Sequence, residues 1–489
     1  MRDTSSTPEV AILGAGLSGL CMGIQLERAG IRSYQIFEKS DRVGGTWRDN
    51  TYPGVACDVP SHLYSYSFEL NPDWSRLYSP GAEIQTYCER VAERYALGSH
   101  LRFGAEVEHL AFEDGRWRIQ LRDGAVHRAD VVVSAMGGLH RPFQPEFPGL
   151  DRFEGVHFHS ARWNHAHDLT GRRVAVIGSA ASAIQIVPTI AERTAKLTLF
   201  QRTPNWILPR NDFAYSERAR RWLRSPALAR LQRLAIYLAC EVRFPTFLKG
   251  SWMNGVMARI CERYLESQVP DARLREKLTP SYPPGCKRIL ISDDFYASLT
   301  RETVELVTAP IERFEKDGIV TADGQLHPVD TVVFATGFQP FNFLAPLEVK
   351  GPGGRSLADV WSEGIQAHRT VAVPGFPNFF LLLGPNSGLG HNSVILMIEA
   401  QVGYVLQCVQ ALAARGLAYL DPRPEAAARY DAALQSDLQR TIWTDSCRSW
   451  YQDVRGRVFT LWPHTTLRYL WEMRRPVLDE YRQLHPGEL

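Results

Sequence analysis

Twice in this chain an apolar run breaks at a glycine, enters a helix and ends in a second apolar run. The first instance is "EVAILGAGLSGLCMGIQLERAG" followed by "SYQIFEKS", the second "RRVAVIGSAASAIQIVPTIAERTAKLTLFQRTPN". This pattern constrains the fold tightly, because strand, turn, helix and strand must pack as one unit around backbone that no side chain obstructs. In the first unit Gly14 permits the tight turn, Gly16 lets a pyrophosphate approach the backbone, and Gly19 lets the helix pack on the strand. Glu38 closes the second strand, where a carboxylate accepts hydrogen bonds from an adenosine ribose.

The second unit keeps Gly178 but places Ala180 and Ala183 where the other glycines would stand. The third position accepts alanine, so Ala183 is tolerated, whereas the Ala180 methyl narrows the approach of a diphosphate. The partner position restores the signal. Arg202 follows Gly178 at the interval by which Glu38 follows Gly14, and a guanidinium pairs with a 2′-phosphate that a carboxylate would repel. The two units therefore read as sites for FAD or NAD first and NADPH second, with Gly178, Ser179, Ser182, Arg202 and Thr203 as contacts of the second cofactor.

Between the turns lie the β-rich "LRFGAEVEHLAFEDGRWRIQLRDG" and "ADVVVSAMGG", and after the second unit comes "VDTVVFATGFQP", a buried strand closing on a glycine turn. Such strand-turn segments return the chain to the first domain. The expected fold is α/β, with two interleaved Rossmann-like, doubly wound dinucleotide-binding domains and a helical insertion. Residues 1–150 and 331–489 are expected to form the FAD-binding domain, 151–214 and 285–330 the NADPH-binding domain, and 215–284 the insertion. In the insertion, "SERARRWLRSPALARLQRLAIYLACEVRF" mixes arginines with apolar residues at helical spacing, a pattern that fits a covering helix and also a membrane-surface helix.

Composition removes other classes. The 489 residues are 45% apolar with a formal charge of +2, enough for two or three cored domains and without the basic excess that nucleic acid requires. The eight cysteines form no Cys-x-x-Cys or Cys-x4-Cys pair, which argues against structural zinc, a disulfide scaffold and dithiol chemistry, and for a reducing, cytoplasmic setting. No metal site is expected. The polar first eight residues lead straight into a strand, so no cleavable signal peptide is expected. The most apolar helical stretch, "LAIYLAC" at 234–240, is too short to span a bilayer.

With these residues in place, the chain resembles a class B flavoprotein monooxygenase over nearly its whole length, most closely a type I Baeyer–Villiger monooxygenase. "FEGVHFHSARWN", residues 153–164, fits neither a strand nor a helix well. It is similar to the family signature FxGxxxHxxxW followed by Pro or Asp, through Phe153, Gly155, His159 and Trp163, with Asn164 replacing the last residue. The resemblance implies a linker that couples movement of the nucleotide domain to flavin chemistry. His159 would be a catalytic-site organiser through hydrogen bonds rather than a proton-transfer group, and Trp163 favours the Baeyer–Villiger group over enzymes that oxidise amines and sulfides.

Other segments extend the likeness. "VGGTWRDNTYPGVACDVPSHLYSYSF" resembles the flavin-binding stretch and implies that Gly45, Thr46, Trp47, Asp58 and Tyr64 lie along FAD. "GFPNFFLLLGPNSGLGHNSVILMIEAQVGYVLQC" reads as a buried strand, a polar turn and a helix opening near Asn392, whose unpaired N–H groups suit the pyrimidine edge of an anionic flavin. Val394 matches the position whose backbone N–H faces that edge. In "PPGCKRILISDDFY", Lys287 and Arg288 match the catalytic pair: the lysine toward the nicotinamide cofactor, the arginine over the flavin, with Asp58 positioning it. Trp450, in "SCRSWYQD", matches a tryptophan on a mobile loop over the nicotinamide.

The resemblance implies an enzyme that uses FAD, NADPH and O2 to insert one oxygen atom beside a ketone carbonyl, giving an ester or lactone through a C4a-peroxyflavin. Arg288 suits that chemistry because it stays charged and offers rigid donors to developing anions. The helical insertion would cover the nucleotide domain and wall the substrate pocket, its bulky apolar residues pointing to a lipophilic ketone, with membrane-surface contact a less favoured role. Other readings are a flavin monooxygenase of sulfur or nitrogen, an uncoupled NADPH oxidase suggested by Ala180 and Asn164, and a nucleotide-binding protein without turnover.

Overall fold

In the computed structural model, which describes residues 7–339, 344–445, 449–485 and 488, each glycine turn leaves the middle of a parallel sheet. The first sheet runs Phe379–Leu381, Val131–Ser134, Val10–Leu13, Tyr34–Phe37, Leu101–Arg102, with every neighbouring pair parallel. Val10–Leu13 is buried along its length. Its sequence is a continuous apolar run because elements cover both faces of such a sheet.

The second sheet repeats the plan as Val304–Val307, Lys196–Phe200, Arg173–Ile177, Thr331–Phe334, Val156–His159, again all parallel. Two sequence expectations change here. Thr331–Phe334 is fully buried and pairs on both sides within this sheet, so the boundary expected at residue 331 moves beyond Phe334. A strand buried on both faces needs cover on both, and an inner position in the second sheet supplies it. The segment 153–164 is also more regular than expected: Val156–His159 is a strand and Ser160–Arg162 a 3-10 turn. It is an edge strand with Val156 and His157 exposed, and edge strands need not carry the apolar pattern that reveals inner ones.

Each sheet carries an antiparallel meander. Val107–Glu113, Arg116–Leu121 and Val126–Ala129 extend from the first, Ile311–Glu315, Gly318–Thr321 and Leu326–Pro328 from the second. Residues 215–284 hold the helices Glu217–Leu223, Pro226–Glu241, Trp252–Gln268 and Ala272–Leu278. Ser216, Ser251 and Asp271 cap three of them by accepting from first-turn amides.

The longest apolar helix is Val394–Arg415 rather than the stretch at 234–240. By length and composition it could cross a membrane, yet its inner face packs against helix Leu17–Arg28 in the core of the first unit. Cys21, Cys57, Cys88, Cys240, Cys261 and Cys408 are free and buried. Cys286 is disulfide-bonded, which local cysteine spacing did not foretell because spacing reports neighbours in sequence, not in space.

Candidate active site

The first turn is bare backbone. Gly14 has φ +103°, and a Cβ there would stand 2.8 Å from the Ala135 carbonyl oxygen. A Cβ on Gly19 would stand 1.8 Å from the Gly14 carbonyl oxygen, so only glycine lets the helix approach. Gly16 and Gly45 face each other: a Cβ on Gly45 would lie 3.0 Å from the Gly16 Cα. Helix Leu17–Arg28 has no side-chain cap, so its first N–H groups remain for an anion. This cradle fits a dinucleotide pyrophosphate.

Glu38 is buried at the end of its strand. It accepts from Ala15 N (2.9 Å), Ser40 N (3.0 Å) and Arg48 Nη1 (2.9 Å). A carboxylate has about four acceptor sites, so these three bonds leave capacity for ribose hydroxyls. Trp47 Nε1 donates to the Tyr64 hydroxyl at 3.2 Å, with the rings edge-on at 5.5 Å. Thr46 opens the short helix Thr46–Asp49 beside them. Val394 is the first residue of its helix, and Ser393 caps it by accepting from Ile395 N.

The second turn copies the first at Gly178, with φ +107° and a Cβ that would lie 2.4 Å from the Ala335 carbonyl oxygen. Ser179 Oγ donates to the Thr203 carbonyl at 3.2 Å, and Asn205 Nδ2 donates to the Ser179 carbonyl at 2.9 Å. Ser182 stands at the start of helix Ala183–Ala191 without a side-chain cap bond. Arg202 is exposed. Burial and then the Arg202 cation lower the Lys287 ammonium, so two positive groups converge beside this turn, neither paired with a carboxylate among the described residues. That concentration of charge fits a phosphate.

Arg288 and Asp58 meet across the molecule. The Arg288 Nη2 and Nε lie 2.6 and 2.8 Å from one oxygen, Asp58 Oδ2, while Nη1 has only a 3.5 Å contact to the Leu389 carbonyl. Asp58 raises the guanidinium pKa above its ordinary value, against an opposing effect of burial, so the cation persists at every working pH. The pair edges a cavity of about 80 Å³, also lined by Tyr78, Phe247, His391 and Asn392. Behind it, Glu241 anchors His391 and Asn392. Burial would raise that carboxyl, but hydrogen bonds from His391, Thr466, Leu467 N and Asn392 hold it at about 2.

His159 is not joined to this pair by any described contact. Its Nδ1 accepts from Ala161 N at 3.1 Å, and its ring lies edge-on to Phe338 at 6.0 Å. Burial lowers it to about 4, so it is neutral and organises the turn after its strand. Phe153 and Asp330 crowd Gly155, where a Cβ would meet both, and Trp163 packs edge-on to Phe158 at 5.1 Å. Trp450 is half exposed and tilts against Tyr451 at 4.7 Å. No cluster of three or more His, Cys, Asp or Glu able to hold a metal occurs among the described residues.

Comparison with known proteins adds a direct test of kinship. Residues 7–350 match the flavin-binding monooxygenase-like family. The chain belongs to that family. It is 45% identical over 483 residues to a Baeyer–Villiger monooxygenase of Streptomyces coelicolor, covering 98% of this chain and 93% of that one. It is 43% identical over 466 residues to a Baeyer–Villiger monooxygenase of Pseudomonas aeruginosa, covering 94% and 88%. Among solved structures, an oxidized steroid monooxygenase bound to NADP superposes with a TM-score of 0.88 at 31% identity, covering 98% of this chain and 100% of that one. The α/β fold of two dinucleotide-binding units is shared with these flavin monooxygenases.

Within this flavin-binding monooxygenase, four residues around the site escaped the sequence reading. Arg48 neutralises Glu38, Asn205 holds Ser179, Tyr451 lies close to Arg288, and Gln185 joins the two units. Gln185 accepts from the Tyr52 hydroxyl (3.0 Å) and donates to the Ala56 carbonyl (3.0 Å), clasping the loop that carries Asp58. The asparagine two residues after Thr203, in "RTPN", was the one legible signal among them; the other three make contacts that no motif spacing encodes.

Proposed function

We propose that this protein is a Baeyer–Villiger monooxygenase, which uses NADPH, FAD and O2 to insert one oxygen atom next to a ketone carbonyl and release an ester or lactone. The observation that carries this reading is the Arg288–Asp58 pair at the edge of a cavity, with Nη1 outside the pair and held only at 3.5 Å by the Leu389 carbonyl. FAD, when bound and reduced by NADPH, supplies the electrons that activate dioxygen. Gly14, Gly16, Gly19, Glu38, Gly45, Thr46, Trp47, Tyr64 and Val394 would hold it. Gly178, Ser179, Ser182, Arg202, Thr203, Lys287 and Trp450 would hold NADPH, with the Arg202 and Lys287 cations suited to its 2′-phosphate.

Arg288 then acts through charge and geometry. Asp58 takes Nε and Nη2, fixing the guanidinium plane, and Nη1 donates to the oxygen on which negative charge develops beside the carbonyl. His159 orders the linker strand as a neutral ring. The helices of 215–284 wall the cavity with Cys240, Thr246, Phe247 and Met257, which suits a lipophilic ketone. FAD is assigned to the first unit and NADPH to the second.

The test is product analysis with the FAD-loaded protein, NADPH and air, over a panel of aliphatic, cyclic and steroid ketones beside thioethers and amines. Ester or lactone matching NADPH consumption is expected for at least one ketone. Sulfoxide or N-oxide alone, or hydrogen peroxide alone, would overturn the reading.

A further inference from the structure

Helix Pro226–Glu241 is built inside out. Its buried residues are Ala229, Arg233 and Cys240, and Arg233 Nη1 donates inward to the carbonyls of His62 (2.9 Å), Leu63 (3.2 Å) and Ser65 (2.9 Å). Leu228, Leu231, Leu234 and Leu238 face outward, 44 to 61% exposed. Their spacing of three and four puts them on one side of the helix. A helix that serves only to cover a core turns its leucines in and leaves arginine to water. Arg230 is the one exposed charge on this helix.

The apolar face continues at both ends. Trp222, on the preceding helix, is 58% exposed, with the Arg218 guanidinium 4.9 Å from its ring centroid. At the other end Glu241 accepts from Leu467 N at 3.0 Å and from the Thr466 hydroxyl, joining helix Thr466–Glu472. There Leu467 and Trp471, one turn apart, are exposed, and Arg474 lies 4.5 Å over the Trp471 ring. The result is a leucine ridge with a tryptophan under an arginine at each end.

We propose that this ridge docks the enzyme on an anionic membrane surface, with the leucines entering the boundary between headgroups and acyl chains. The tryptophans then sit at the interface and Arg218, Arg230 and Arg474 at the level of lipid phosphates. Charge argues against a second copy of the chain as the occupant. A two-fold dimer sets a patch against itself, which brings the arginines of both copies together, with no exposed acid on the leucine helix to pair them. The same helix end also reaches the reaction cavity, where Cys240 and then Arg243, Thr246 and Phe247 form part of the wall beside Arg288. Docking would thus bring this wall of the cavity close to a ketone dissolved in lipid. This delivery role rests on the proposed ketone oxidation; the docking itself does not.

The experiment uses the FAD-loaded protein, sedimented with phosphatidylcholine vesicles and with vesicles containing phosphatidylglycerol, at low and high salt. The comparison variant is Leu231→Glu/Leu234→Glu/Leu238→Glu, whose flavin absorbance reports that it folds. Wild type is expected to bind the anionic vesicles, more weakly in high salt, and the variant to lose about ten-fold or more. Turnover of a water-soluble ketone is expected to be equal in both proteins, so failure of ketone oxidation and failure of docking give separate results. No binding by wild type at low salt, equal binding by the variant, or a wild-type dimer in light scattering that the variant abolishes would overturn the proposal.

Discussion

Two nitrogens of the Arg288 guanidinium are committed to Asp58, and the third, held only by a 3.5 Å contact to the Leu389 carbonyl, is the donor proposed to meet substrate oxygen. Arg288→Ala removes that donor and its charge. It is expected to cut ester formation by about 100-fold or more while leaving anaerobic bleaching of the flavin by NADPH within a few-fold of wild type, as read by stopped-flow absorbance. Arg202→Ala is expected to raise KM for NADPH about ten-fold or more, with KM for NADH nearly unchanged, because only NADPH carries the phosphate that this cation is proposed to meet. Steady-state kinetics with the two coenzymes checks it. Protons test the buried histidines. His62 and His159 are each lowered from 6.5 to about 4 by burial, so between those values the unfolded chain binds more protons than the folded one. Stability from these groups is full above about pH 6.5 and falls on acidification, by up to about 1.4 kcal/mol per pH unit for each ring. Thermal unfolding of His159→Gln against wild type, from pH 7 to pH 4.5, is expected to show a shallower decline in the variant.

At the scale of elements, the two glycine turns have the same backbone form and different side-chain cover. The Gly14 and Gly178 positions both lie in positive φ against an alanine carbonyl, Ala135 in one sheet and Ala335 in the other. That equivalence was legible from the repeat alone. Legible too were the burial of the inner strands and the helices of 215–284, since apolar runs and helical spacing follow directly from which faces are covered. The edge strand Val156–His159 was not, because it needs no apolar pattern, and the allocation of Thr331–Phe334 was not, because an apolar run fits the middle of either sheet. Of the two alanines that replace glycines in the second turn, Ala180 and Ala183, Ala180 is the one at the position where the diphosphate approaches. Ala180→Gly removes the methyl beside the expected diphosphate path and is expected to lower KM for NADPH a few-fold without changing flavin content, as measured by coenzyme titration and absorbance.

At the scale of the whole molecule, the site depends on how the two units are held together. Gln185, on the first helix of the second unit, grips Tyr52 and Ala56, and the loop from 52 to 58 ends in the carboxylate that orients Arg288. A Cβ at Gly54 would strike Thr189 and the Gln185 carbonyl, so the loop and helix are in close register. Gln185→Ala is expected to leave KM for NADPH within about two-fold, on the ground that Gln185 acts on a loop rather than on the coenzyme cations. The same change should raise several-fold the share of NADPH spent on hydrogen peroxide instead of ester, measured with a peroxide assay beside product analysis.

By itself the sequence determined the two turns, the opposite charges at their partner positions and the alternation of strand and helix. Those features are local: a missing Cβ or a fixed interval along one strand-turn-helix unit acts within a few residues. Tertiary structure alone decided that Asp58 and Arg288, 230 positions apart, share one oxygen, that Arg48 lies on Glu38, and that the leucines of Pro226–Glu241 face outward. Contacts of that kind depend on how separate layers are stacked and turned, which no spacing within a segment records.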